Sequence, residues 1–369
     1  MKIRRIMKKS FLILATAAMF AACTNDSFRS DIEESQVEIG FSTYIQKPVA
    51  TKADNSAATE ANSLSAYHTT FVVNGYKTVG GSNQTVFNNQ QVSYSSSAWN
   101  YTPKKIWDKS ASGYSFFAAA PFSANWTYAD GNYEYTDFEL TGNSLEPTTT
   151  LNAAAVFGAE DLMIATDVTD YKTYESDPVN LSFNHILSRL NIAVKCTGFD
   201  TGYNVLLKEV KVYNMTSNGS FNEAADLETD VLANGTIKRW AAATAPAKYT
   251  TGVGYTNAEG LEIDGTANFV YQALVIPQEV AYVADVALNG TGLTAESAPY
   301  LNIKYTVNGE NFNYFYNMAD MFNAAAATNV KFCEGWQNNL TINIGMAEIN
   351  FAADVYKWST KESDSFDVD

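Results

Sequence analysis

The sequence predicts an all-β protein built as two β-sandwich domains in tandem, with few short helices. Three observations carry that expectation. Apolar residues alternate over many short stretches, clusters of Gly, Asn, Asp and Ser separate those stretches, and 369 residues is a length that fits two domains. With 46% hydrophobic residues, including 22 Tyr, 21 Phe and 6 Trp, the chain can bury substantial cores. Its 17% charged residues and mean hydropathy of -0.18 exclude a polytopic membrane protein.

The first element is an address. Lys2, Arg4, Arg5, Lys8 and Lys9 precede an apolar run from Phe11 to Phe20, and Ala21, Ala22 and Cys23 follow. This layout predicts an export signal over residues 1–22. The run is too short to span a bilayer as a mature helix. Small residues directly before a Cys resemble the lipobox of bacterial lipoproteins, which makes Cys23 the expected acylated first residue of the mature chain. Phe20 departs from the usual Leu of that motif, and the alternative is an ordinary cut near Ala22. Residues 23–36 are polar and acidic and read as a tether.

The N-terminal sandwich is expected over 37–180. Val37, Ile39, Phe41 and Ile45 fall on odd positions between Glu38, Gly40 and Ser42, the period-2 pattern of a strand over 37–45 with one buried face. Residues 46–63 hold almost no large apolar side chain and read as an exposed, protease-accessible linker. Strands are expected at 67–73, 86–94, 114–119 before Pro121, and 162–165. The C-terminal sandwich is expected over 181–369, with Leu190, Ile192 and Val194 alternating, then 205–212, 269–276, 301–307, and the alternating Leu340, Ile342 and Ile344. Past Gly345, a last strand over 349–356 places Ile349, Phe351, Ala353 and Val355 on one face. Only 318–327, MADMFNAAAA, reads as helix. No strict repeat period appears, which disfavours solenoids and propellers.

Charge and chemistry narrow the function. The first 22 residues take five of the 24 basic residues and none of the acidic ones, leaving 19 basic against 40 acidic in the rest. Such a chain repels phosphate backbones, so nucleic acid is excluded as a partner. The only two histidines, His68 and His185, sit in strand-like surroundings and read as satisfied packing residues. Neither lies in a catalytic motif. The acidic pairs Glu33/Glu34 and Glu160/Asp161 are expected by chance and solvation in a chain with 40 acids. There is no phosphate loop or calcium loop, so no cofactor, metal or catalytic residue is expected. Cys196 and Cys333 cannot build a four-thiolate site; they pair or, the commoner outcome, stay buried as thiols. Trp99, Tyr101, Trp107, Trp126 and Tyr128 are dense enough to raise a glycan-stacking reading, against which stands the commoner role of filling an aromatic-rich core.

Several passages together resemble the Bacteroidales fimbrillin family, the type V pilins and their relatives. They are Val37 to Phe41 followed by Thr51-Lys52-Ala53; Trp99 to Trp107 followed by 114–121, YSFFAAAP; Asp161-Leu162-Met163; 181–190, LSFNHILSRL; 274–278, LVIPQ; and Gly335-Trp336 leading to Ile349 and Trp358. The resemblance implies two transthyretin-like β-sandwiches and export as an outer-membrane lipoprotein. In polymerising members it implies a surface protease that cuts the linker and removes the first strand. The C-terminal strand of another subunit then fills the groove. Carried onto this chain, Val37, Ile39, Phe41 and Ile45 are the displaced strand, Lys52 and Ala53 flank the cut, and Ile349, Phe351, Ala353 and Val355 form the donor strand. One departure stands out: the family's cut follows Arg, and no Arg lies between Arg29 and Arg189, so the linker offers only Lys47 and Lys52. The implied partners are other fimbrial subunits, with the outer membrane held through lipid. The alternative is a lipid-anchored accessory subunit, anchor or tip adhesin that binds glycan or host protein.

Overall fold

The computed structural model describes residues 37–45, 63–141, 147–148, 161–171, 178–199, 202–225, 237–243, 247–282, 298–323, 329–346 and 348–357. Cys23, Lys52, Ala53, the tether and all of the linker but its last residue lie outside them. In chain order the strands are β1 (Phe41–Ile45), β2 (Thr70–Val79), β3 (Ser82–Ser95), β4 (Ala98–Asn100), β5 (Gly113–Ala120), β6 (Trp126–Ala129), β7 (Asn132–Glu139), β8 (Met163–Ala165), β9 (Val168–Tyr171), β10 (Val179–His185) and β11 (Ser188–Thr197). There follow β12 (Val205–Tyr213), β13 (Asn218–Asn222), β14 (Trp240–Ala242), β15 (Val253–Glu262), β16 (Asn268–Val275), β17 (Gln278–Val280), β18 (Tyr300–Val307), β19 (Glu310–Asn317), the short helix α1 (Met318–Asn323), β20 (Val330–Phe332), β21 (Trp336–Gly345) and β22 (Ile349–Lys357). The remainder of the helix expected over 318–327 lies outside the described residues.

The fold is all-β, as the alternation predicts. The N-terminal sheet runs β1-β10-β8-β5-β2-β3-β4, with β9 beside β5. Its long β2–β3 hairpin turns at Gly80 and Gly81, with φ of 57° and 80°, the sense that matches the twist of the strands it joins. Strand β10 straddles position 180 and belongs to this sheet, pairing with β1 and β8. The sheet curls until its ends approach. Residues just before β1 pair with the segment after β4 through the Glu38–Ile106 bridge. Inside lie Phe71, Phe87, Trp99, Phe116, Leu181 and Phe183.

The C-terminal region is a sandwich of two four-stranded sheets, β16-β11-β21-β22 and β15-β12-β18-β19. The alternating sets Leu190/Ile192/Val194 and Leu340/Ile342/Ile344 point into the core between them and meet Leu207, Val210, Leu301 and Ile303. On the other face of the first sheet Arg189, Asn191, Gln272 and Asn339 are also buried and polar. Arg189 donates to Asn191 Oδ1 and Gln272 Oε1, both at 3.0 Å, and Asn191 donates to Asn339 Oδ1 at 2.7 Å. Hydrogen bonding of this kind is what allows such groups to leave water.

A third sheet, β14-β13-β7-β6, combines strands from the two halves of the sequence. Trp126, Tyr135, Phe138, Phe221 and Trp240 pack together beneath it. Trp240 Nε1 donates to the carbonyl of Ile186 at 2.7 Å.

Candidate functional site

Strand β1 is the terminal strand of its sheet among the described residues and is held in the ladder by β10 alone. The pairing is parallel, Phe41 with Val179, Thr43 with Leu181 and Ile45 with Phe183. Period-2 geometry sends Phe41, Thr43 and Ile45 inward, at 6%, 4% and 2% exposure, while Tyr44 stands 40% exposed. The expected strand over 37–45 is in fact two pieces. Ile39 N donates to Lys105 O at 2.9 Å and Trp107 N to Val37 O at 3.0 Å, whereas beyond Gly40 the chain turns to β10, with Val179 N donating to Gly40 O at 2.8 Å. Ile39 is buried and Val37 half-buried against the same core.

Phe41 is the anchor of this segment. Its ring meets those of Phe71, Phe87, Tyr101 and Phe116 at centroid distances of 5.9, 5.5, 5.8 and 5.9 Å, mostly edge to face. Contacts of this geometry add to area burial. Tyr101 also donates its hydroxyl to the carbonyl of Ile39 at 2.6 Å. Beside this box Thr43 Oγ1 is buried with no hydrogen-bond partner. The sequence reading missed the box. Its signal was the spacing of aromatics in the 67–73, 86–94 and 114–119 strands, which local periodicity cannot assemble into one wall.

At the other end of the chain, β22 is the terminal strand of its sheet and pairs antiparallel with β21, from Trp336 opposite Lys357 to Ile344 opposite Ile349. Ile349, Phe351 and Ala353 are half-buried against the C-terminal core, and among the described residues Phe351 meets the ring of Tyr316, at 4.7 Å. Val355, expected on the same apolar face, is 44% exposed.

The other residues singled out in the sequence are structural. Trp99, Tyr101, Trp107 and Trp126 are all buried, at 4–9% exposure, and Tyr128 is half-buried against Tyr133 at 4.9 Å, so these rings form core and offer no stacking face. His185 Nδ1 lies 2.9 Å from Asp161 Oδ1, and His68 Nε2 lies 2.6 Å from the Asp161 carbonyl. Asp161 is therefore a buried partner, not the solvated acid expected from composition; the pair of histidines that covers it was invisible in local sequence. Burial pushes the His68 pKa below its usual 6.5, with the Asp161 charge acting against that shift. Cys196 and Cys333 are both buried and form no disulfide; the Cys196 thiol donates to the Ile263 carbonyl at 3.0 Å.

Among the described residues β1 closes an apolar slot and β22 is a second terminal strand, so this all-β molecule presents two sheet edges of the kind at which strands pair. A family model described as fimbrillin-like matches residues 51–358, and the chain belongs to that family. Family membership supports a fimbrial subunit located in a cell-surface fimbrium and points to a non-enzymatic role. Among solved structures, a fimbrial protein from Bacteroides vulgatus matches with a TM-score of 0.50 and 15% identity, covering 87% of this chain and 99% of that one. The tip fimbrial protein of Porphyromonas gingivalis, with a C-terminal truncation, matches with a TM-score of 0.40 and 8% identity over 88% of this chain and 100% of that one. At 15% identity the likeness to the first of these speaks to the fold alone. No curated protein matches the chain in sequence.

Proposed function

We propose that the chain is the precursor of a fimbrial structural subunit assembled by strand exchange. In this reading it is exported behind residues 1–22, acylated at Cys23 at the outer membrane, and cut between Lys52 and Ala53. The segment Val37 to Ile45 then leaves, and Ile349, Phe351, Ala353 and Val355 of another subunit take its place. The supporting observation is the position of β1: it is a terminal strand held by one neighbour, yet its side chains complete the core. Its loss would expose on the order of 300 Å2 of apolar surface, worth several kcal/mol at ~25 cal/mol per Å2. An unpaired β10 edge above that surface is a template for another strand. Head-to-tail pairing of this kind does not close and gives a filament.

The absence of Arg from the linker favours a second reading, in which the strand is kept and the protein stays on its lipid as an anchor or accessory subunit. The N-terminal sequence of the protein recovered from the cell surface separates the two. A start at Ala53 in SDS-resistant oligomers is expected from exchange. An acylated Cys23 on a monomer supports the anchored subunit and overturns the polymer.

A further inference from the structure

We propose that β19 is a docking edge on which a second copy of this chain pairs through its own β19, antiparallel and two-fold symmetric, with Tyr314 facing Tyr314 across the axis. The contact needs no cleavage and leaves β1 and β22 in place, so it stands apart from the exchange reading. Being isologous, it closes after two copies; in a filament it ties two subunits side by side.

The basis is an edge without the usual protection. Native sheet edges are blunted by shortness, bulges, proline or charge. Strands β4, β6 and β14 are three, four and three residues long, β15 is broken by a register shift against β12, and β22 carries Asp354 and Lys357. Strand β19 ends the order β15-β12-β18-β19 among the described residues. It runs ENFNYFYN over eight residues in unbroken register with β18, and its one charge, Glu310, is its first residue. In a chain of net charge -16, a stretch of this kind lets two copies meet with the least repulsion.

The register follows from the backbone. Asn308 and Gly309 form a two-residue turn with φ of 49° and 86°, so Val307 and Glu310 close the hairpin as a hydrogen-bonded pair. Alternation then turns the N–H and C=O groups of Phe312, Tyr314 and Tyr316 toward β18, and Met318 N continues that series by donating to Pro299 O at 2.9 Å. Asn311, Asn313, Phe315 and Asn317 turn theirs to the open side. Centring the pair on Tyr314 joins Asn311 to Asn317 and Asn313 to Phe315, so all four open residues of each copy find a partner. A two-residue shift leaves Asn317 or Asn311 without a strand partner, and a one-residue shift faces open residues with ones already bonded to β18. On the inward-facing side, Phe312 then meets Tyr316 and Tyr314 meets its own copy at the closer, non-hydrogen-bonded spacing. The rings of Phe312, Tyr314 and Tyr316 already form a row there, with centroids 6.5 and 6.3 Å apart. Tyr314 is 40% exposed between two half-buried neighbours, and the pairing covers the ring that the single chain leaves in water.

Equilibrium sedimentation of the uncut chain beginning at Thr24, which keeps the compact unit Val37–Asp369 whole, tests the contact. One strand pair makes a narrow interface, so a monomer–dimer equilibrium is expected at about 100 μM chain. Tyr314→Lys and Tyr314→Glu, at an exposed position, each set like charges face to face and should raise the dimer Kd at least about tenfold. An equimolar mixture of the two variants should recover the dimer. Asn311→Lys, also exposed but facing Asn317 instead of its own copy, should change the Kd less than about threefold. A wild-type chain of monomer mass at that concentration, a dimer that Tyr314→Lys leaves unchanged, or a mixture that stays monomeric overturns the proposal. A larger effect from Asn311→Lys than from Tyr314→Lys overturns the register.

Discussion

Strands β1 and β22 both end a sheet and both turn an apolar face inward, yet their seats differ in depth. Phe41 is 6% exposed within a box of aromatic rings, whereas among the described residues Phe351 touches the Tyr316 ring and Val355 is 44% exposed. Burial, not hydrophobic pattern, distinguishes the two edges. The C-terminal sandwich keeps its own core between β11, β21, β12 and β18 and uses β22 as a partial cover.

The largest effect should come from deletion. Removing 37–45 is expected to expose the slot, raise binding of an apolar dye and lower stability by several kcal/mol, by the area relation of ~25 cal/mol per Å2. Removing 349–357 should lower stability less and leave the N-terminal region folded in urea titrations. Equal losses would erase the distinction between the two edges.

Single substitutions sharpen it. Phe41→Ala should cost about 3–5 kcal/mol, and Phe351→Ala about half of that because its ring is already half in water. A smaller effect of opposite sign is expected at Thr43→Val, which removes a buried, unpartnered hydroxyl and should stabilise by about 1 kcal/mol. Urea midpoints check all three.

The smallest effect is one of pH and comes from His68, on the β1 side. His68 has a lower pKa folded than unfolded, because burial disfavours its charge. Stability it supports is therefore complete above its unfolded pKa of 6.5 and declines as pH falls through that value toward the folded one. His68→Gln should flatten the loss of stability expected between about pH 7 and about pH 5. An unchanged slope would show that His68 takes up its proton as readily in the fold as in the unfolded chain.

Legibility in the sequence followed the same division between local and assembled features. Alternation in Leu190/Ile192/Val194 and Leu340/Ile342/Ile344 marked strands because each has one wholly apolar face. Strand β3 was anticipated only from residue 86 because its first residues are polar and exposed, and β7, β13 and β15 lack a continuous apolar face. Two of the missed hairpins carried turn signals: Asp130-Gly131 joins β6 to β7 and Asn308-Gly309 joins β18 to β19, with positive φ at all four residues. Beyond the β6–β7 turn, the sheet shared by β6, β7, β13 and β14 had no local signal, since its central pairing joins residues about 80 apart. For the candidate site, sequence pattern located the two edge strands. The aromatic box, the switch of partner at Gly40 and the orphaned Thr43 hydroxyl exist only once distant strands meet.

The account turns on whether β1 can be replaced, and cleavage of the purified chain between Lys52 and Ala53 tests this most directly. Mass analysis should show the N-terminal fragment released as the remainder converts to a ladder stable in SDS. A cut chain that retains the fragment and stays monomeric, or that loses its β-structure once the fragment has gone, would contradict it.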